Sequence, residues 1–258
     1  MALSFEQLIK ITNQAGINLE KNDLDFVSRV YSEGVDKYRR RLEKLGFYNA
    51  NKVLDAGAGF GQWSIALAEL NTSVESIEFS DMRVITAQKI FELLNKRNVR
   101  IQKGSVESLP YENNSFDFVF CYGVLFLTDW KQSLRELARV LKPGGRMYIN
   151  MNGDGWYDFL ENSLHNATSD YDPAQVAVEA RENTLNYKQN LPITNHYTDI
   201  ITTRNEVVEQ ILDCDLLPIG IAGEGEIELG KSVDTESFFK ARYQGSDCVF
   251  EIVSEKYS

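Results

Sequence analysis

The feature that most constrains this chain is a glycine-rich bend, Gly57-Ala58-Gly59-Phe60-Gly61, entered from the apolar run Val53-Leu54-Asp55 and left by a helical pattern. A short apolar run of this kind reads as a buried strand, and glycines at its exit reach backbone conformations that a Cβ forbids. They also let another group come close to the main chain. The first turn of the helix behind the bend carries N–H groups without intrahelical partners, which can face an acceptor. Strand, bend and helix in that order open a parallel α/β sheet.

The same rhythm continues to residue 151. Strands are predicted over 52–55, 73–79, 99–103, 116–121 and 146–151, with helices over 59–70, 81–95 and 130–141. Strands that alternate with helices make a Rossmann-like, doubly wound α/β sheet by right-handed crossovers, and such a sheet binds ligands beyond the carboxyl ends of its strands. Residues 1–50 read as a cap of short helices. Phe5, Leu8, Ile9 and Ile11, and then Val27, Val30, Tyr31, Val35 and Tyr38, recur at near-helical spacing, broken by Gly16 and Gly34. Residues 152–204 break the rhythm with many aromatics (Trp156, Tyr157, Phe159, Tyr171, Tyr187, Tyr197) and many acids. Residues 205–258 return to it, with a helix over 206–212, strands over 217–222 and 248–254, and turn chemistry at 223–225 and 244–247. A chain of 258 residues accommodates this as one domain, 1–258, with an insertion.

The bend by itself fits two ligand classes. A dinucleotide fingerprint would place a third glycine at 62, where Gln62 stands. Asp55 would also repel a pyrophosphate, whereas it suits a ligand with a cationic amine. Twenty-three residues on, the second strand ends at Glu78, where a carboxylate can accept both hydroxyls of a ribose. Phe79 follows and can lie against an adenine face. Gly104-Ser105-Val106-Glu107 comes after the third strand, where an adenine edge would be read.

Residues 53–61 resemble the first motif of class I S-adenosylmethionine (SAM)-dependent methyltransferases, and Glu78 resembles their second-strand acid. The runs 104–111 and 114–117 are similar to a signature of the small-molecule branch that includes ubiquinone/menaquinone-type enzymes. Leu134-Arg135-Glu136-Leu137-Ala138-Arg139-Val140-Leu141-Lys142-Pro143-Gly144-Gly145 resembles another signature of that branch. The likeness covers roughly residues 50–151, with a weaker echo at 205–253. It implies a mostly parallel sheet with one antiparallel strand near the C-terminus, and SAM as cofactor with S-adenosylhomocysteine as product. It assigns the cofactor to Asp55, Gly57, Gly59, Gly61, Glu78, Phe79, Ser105, Val106, Glu107, Cys121 and Tyr122. Residues 51–151 become the SAM-binding core, 152–204 a substrate lid and 205–258 the rest of the sheet. Ser105 departs from the pattern, since an aspartate is common there. Cys121-Tyr122-Gly123-Val124 likewise lacks the Pro-Pro pair of enzymes that methylate base amines.

A net charge of −11 disfavours nucleic acid, whose binding rests on neutralising phosphates with Lys and Arg. The triplet Arg39-Arg40-Arg41 reads as a solvated helix face. The expected acceptor is a small organic molecule, neutral or cationic rather than polyphosphorylated, methylated on O, N or C. A non-catalytic SAM-fold regulator is the second reading, and a homodimer is left open. Methyl transfer needs alignment and exclusion of water, with a base for some acceptors. Candidates for that base or for the reacting wall are His165, His196 and Tyr122. Tyr31, Tyr38, Trp156 and Tyr157 are further aromatic candidates beside a sulfonium. Cys121, Cys214 and Cys248 are too scattered to suggest a disulfide framework or a metal site. Without a signal-peptide pattern at Met1-Ala2-Leu3-Ser4, or any apolar span of membrane length, the expected setting is cytoplasmic, away from membranes.

Overall fold

The computed structural model describes residues 5–14, 16, 19–168 and 171–257; Met1 to Ser4 and the side chains of Phe5 and Leu8 lie outside the described residues. Three helices come first: α1 (Phe5–Gln14), α2 (Lys21–Tyr31) and α3 (Asp36–Leu45). Gly16 and Gly34 take positive φ between them, and Gly46 closes α3 in the left-handed region, where a Cβ is costly. The sheet strands are β1 (Lys52–Ala56), β2 (Ser73–Glu78), β3 (Val99–Lys103), β4 (Phe116–Cys121), β5 (Leu141–Asn152), β6 (Leu216–Gly223) and β9 (Val249–Lys256). Between β6 and β9, β7 (Arg242–Tyr243) and β8 (Ser246–Asp247) form a separate small hairpin.

The strand order is β3-β2-β1-β4-β5-β9-β6. All neighbours from β3 to β5 pair parallel, and β9 alone runs antiparallel, between β5 and β6. The chain winds outward from β1 in one direction and from β4 in the other, so a crevice opens above the β1–β4 junction. Helices α4 (Gln62–Leu70) and α5 (Asp81–Leu93), with the N-terminal helices, cover one face; α6 (Trp130–Val140) and α9 (Arg204–Leu212) cover the other. Helix α6 shows why this works. Trp130, Leu134, Leu137 and Ala138 recur on one side and are buried, and Asp129 caps the start by accepting from the Gln132 N–H.

Three sequence expectations shift. The helix expected from 59 begins at Gln62, because Gly59 and Gly61 both take positive φ. The strand expected over 146–151 extends back to Leu141, with a register irregularity opposite Phe116 to Phe118. Arg41 does not belong to a solvated face. Its side chain is 0% exposed and pairs with Glu224 and Glu251, while Arg39 and Arg40 remain at the surface with Asp36.

Residues 152–204 contain α7 (Asp154–Ser163) and α8 (Pro173–Lys188), which share a small core of Tyr157, Leu160, Val176, Ala177, Ala180 and Ile201. This segment is fastened to the lip of the sheet. Ile200 N–H donates to Phe126 O, and Thr202 N–H donates to Asn152 O.

Candidate functional site

The bend after β1 is a folded loop with distinct duties for its glycines. Gly57, Gly59 and Gly61 have φ of 83°, 58° and 82°. A Cβ on Gly57 would lie 2.2 Å from Val124, and one on Gly61 2.5 Å from the Phe91 ring. Those two glycines let the loop wedge between the segment after β4 and helix α5. At Gly59 the nearest atom would be Phe26 Cε1 at 3.8 Å, so this glycine faces the cap helix α2.

The Glu78 carboxylate ties the loop to the end of β2. It accepts from Gly59 N–H through Oε2 and from Ser80 N–H through Oε1, each at 2.9 Å. Asp55 lies buried beneath the loop, accepting from the Ser64 hydroxyl at 2.6 Å, and Ser64 in turn accepts from Ser76. Burial, with the Glu78 charge adding to it, pushes the Asp55 carboxyl up to about 7 against the pull of Ser64. Gln62 Oε1, in the first turn of α4, is buried and has no hydrogen-bond partner. Asp55, Glu78 and Gln62 therefore make a cluster of acceptors around the bend. Each Glu78 oxygen retains a lone pair beyond its backbone bond. Such a cluster fits a ligand that brings ammonium and hydroxyl donors, which SAM does, and it is mismatched to a pyrophosphate. Phe79 stands at the rim and is 75% exposed.

The loop after β3 is more tightly tied. Ser105 Oγ accepts from Glu107 N–H, Val106 is buried in the α6-side core, and Glu107 Oε1 accepts from Asp129 N–H at the start of α6. Gly104 N–H donates to Glu78 O, so the Ser105 hydroxyl and Val106 backbone follow directly on the β2–β3 end. Cys121 is buried, and burial holds its thiol far above the usual range.

Tyr122 is the first residue past β4. Since Asp55 pairs with Phe120, Tyr122 stands level with Gly57, at the mouth of the crevice. Its ring packs on Trp63 of α4 at 4.8 Å and on Phe238 and Phe239 at 6.2 and 6.1 Å. Phe239 meets Trp156 of α7 at 5.6 Å. These rings form a continuous aromatic wall from the glycine loop to the 152–204 segment. Tyr31 and Tyr38 lie in the core under the cap, Tyr31 donating to Phe60 O, and Tyr157 is buried against Asp199. Both histidines lie at the surface, His165 at the outer end of the aromatic wall. His165 is exposed beside Phe159 and Trp156, and His196 is exposed beside Tyr197.

Sequence reasoning missed several groups here. Glu224, fully buried, accepts from the Tyr122 hydroxyl at 3.0 Å, from Arg41, and from the backbone N–H groups of Phe238 and Phe239. Burial pushes its carboxyl up, and Arg41 pulls it back. Asp199, buried beside Tyr157, is raised to about 6 by desolvation. The signal for Glu224 was present in Gly223-Glu224-Gly225, an acid enclosed by two turn glycines, but a turn acid is ordinarily solvent-facing.

Residues 54–149 match a family described as a methyltransferase domain. The ubiquinone/menaquinone biosynthesis C-methyltransferase UbiE of Geotalea daltonii is 32% identical over 132 residues, covering 48% of this chain and 56% of that protein. A demethylmenaquinone methyltransferase of Bacillus mycoides is 35% identical over 101 residues, covering 38% and 43%. The chain thus spans about half the length of the curated relatives it matches. Among solved structures, a geranyl diphosphate C-methyltransferase from Streptomyces coelicolor, in complex with Mg2+, geranyl diphosphate and S-adenosylhomocysteine, superposes with a TM-score of 0.59 at 16% identity, over 92% of this chain and 81% of that one. At that identity the likeness concerns the fold.

Proposed function

We propose that this chain, whose residues 54–149 match a methyltransferase domain, is a class I SAM-dependent enzyme that transfers the methyl group of SAM to a small organic acceptor. The observation that carries this reading is the acceptor cluster of Asp55, Glu78 and Gln62 around the glycine loop. When bound, SAM supplies an electrophilic methyl group on a sulfonium. Asp55 and Gln62 would hold the ammonium end, Glu78 the ribose, and Phe79 with Ser105, Val106 and Glu107 the adenine. Cys121 and Tyr122 would border the reacting centre.

The chain's part in such a displacement is to align donor and acceptor and to exclude water. The wall of Trp63, Tyr122, Phe238, Phe239 and Trp156 supplies an apolar surface for a planar or aliphatic acceptor. The 152–204 segment closes the acceptor side as a lid, together with the N-terminal cap. Its acidity and the chain's net charge of −11 favour a neutral or cationic acceptor over a polyphosphorylated one. The C-methylation named for the Geotalea relative makes an electron-rich ring carbon the first acceptor class to try. Where the acceptor must lose a proton, His165 beside Trp156, His196 and the buried Asp199 are the groups to test, since the Tyr122 phenol is raised by burial and already donates to Glu224. No helix among the described residues is long and apolar enough to cross a membrane.

The test combines methyl-labelled SAM with cell extract and follows label into small molecules, alongside competition of NAD(P) with S-adenosylhomocysteine. Label in a low-molecular-weight product, with no competition from NAD(P), is the expected result. Failure to bind S-adenosylhomocysteine, or displacement by NAD(P), would refute the reading.

A further inference from the structure

Behind Tyr122 lies a set of buried charges for which the proposed transfer has so far found no use. Arg41 of α3, Glu224 after β6 and Glu251 of β9 are all 0% exposed. One guanidinium nitrogen, Arg41 Nη2, contacts Glu224 Oε1 at 3.2 Å and also Glu251 Oε2. Tyr148 donates to Glu251 Oε2, and Ile227 N–H to its Oε1. Two carboxylates share one guanidinium, so with both ionised the group carries one negative charge more than Arg41 offsets. Nearby charges do not cancel it, because Lys44 is taken up by Glu228 and Arg242 by Glu226. In a poorly polarisable interior an excess charge acts over a longer range than at the surface. It is linked to the aromatic wall through Tyr122, whose hydroxyl donates to Glu224 Oε1, leaving the lone pairs of the phenol oxygen turned away from that bond.

We propose that Glu224 is a positioning residue for Tyr122, and that the Glu224–Glu251–Arg41 group biases the donor site toward the cationic sulfonium of SAM over the neutral thioether of S-adenosylhomocysteine. This rests on the donor site described above. Glu224 fixes the Tyr122 ring in two ways, through its hydroxyl and through the Phe238 and Phe239 backbone that the same carboxylate holds against the ring. The phenol then offers oxygen, not hydrogen, to its surroundings, and the carboxylate behind it strengthens that polarity. A positively charged donor gains from this arrangement, while an uncharged product does not. The same arrangement favours departure of the product once the charge is gone.

Isothermal titration of SAM and of S-adenosylhomocysteine into wild type, Tyr122→Phe and Glu224→Gln tests this directly. The quantity of interest is the ratio of the two affinities. Each substitution should lower the affinity for SAM relative to S-adenosylhomocysteine by roughly fivefold, with the latter held within about a factor of two. An unchanged ratio, or a parallel loss for both ligands, overturns the proposal and leaves these groups a structural role. Tyr122→Phe keeps the ring and every Arg41 contact, so it decides the matter even if Glu224→Gln does not fold. If wild type binds neither ligand, the donor-site reading itself fails, a result distinct from an unchanged ratio.

Discussion

Asp55 shows how one residue ties stability to ligand binding. Its carboxyl is raised from 3.8 to about 7 in the folded chain, so the folded state holds its proton more tightly than the unfolded state does. By linkage, its contribution to stability is fully present below about pH 4 and is lost as pH rises through about 7. An ammonium group bound beside it reverses that preference, because it favours the ionised carboxylate. Binding of S-adenosylhomocysteine should therefore strengthen between pH 6 and 8 and release protons. Calorimetry in buffers of different ionisation enthalpy checks this, and Asp55→Asn should abolish both the proton release and the pH slope. A second residue-scale prediction concerns Arg41. Its removal leaves Glu224 and Glu251 buried without a counter-charge, so Arg41→Met should cost ~3–5 kcal/mol in chemical denaturation. Adding Glu251→Gln should recover part of that loss.

At the scale of elements, legibility in the sequence followed locality. Strands β1 to β4 and helices α4 to α6 were readable because their apolar spacing and the glycine bend are contained within a few residues. The Arg41 pair was not readable. Its partners lie 183 and 210 residues away, and the sheet brings them together only when β9 inserts between β5 and β6. The stretch from 226 to 241 was equally opaque, since it is irregular and has no period to detect. It nevertheless straps the cap to the sheet. Leu229 and Gly230 N–H donate to Lys44 O, Lys231 N–H donates to Glu43 O, and Phe238 and Phe239 finish the aromatic wall. The helices α7 and α8 were hidden by mixed composition, although Pro173 behind Asp172 is a readable helix start. Since these two helices have a core of their own, replacing 154–197 by a short linker should leave S-adenosylhomocysteine affinity within about threefold, by the reasoning that well-separated sites add nearly independently. Label transfer from SAM should be lost. Full turnover by the truncated chain would show that this segment is not the acceptor lid.

For the whole molecule, the proposed division between cofactor and acceptor is spatial. The cluster of Asp55, Glu78 and Gln62 proposed for the cofactor sits above β1 and β2, where one end of the doubly wound sheet begins. The aromatic wall and the 152–204 segment sit above β4 and β5, on the other side of the switch point. The glycine bend and the acids beside it were legible in the sequence because backbone geometry and a few local residues dictate them. The second half stayed open because acceptor pockets are built from side chains far apart in the chain. The strongest single test remains the affinity for S-adenosylhomocysteine measured by calorimetry in wild type, Asp55→Ala and Glu78→Ala, with melting temperature as the control for folding. Each variant should melt as a folded protein and lose ~1–3 kcal/mol of binding, about five- to 150-fold. Folded variants that bind as tightly as wild type would contradict the placement of the cofactor at the glycine loop.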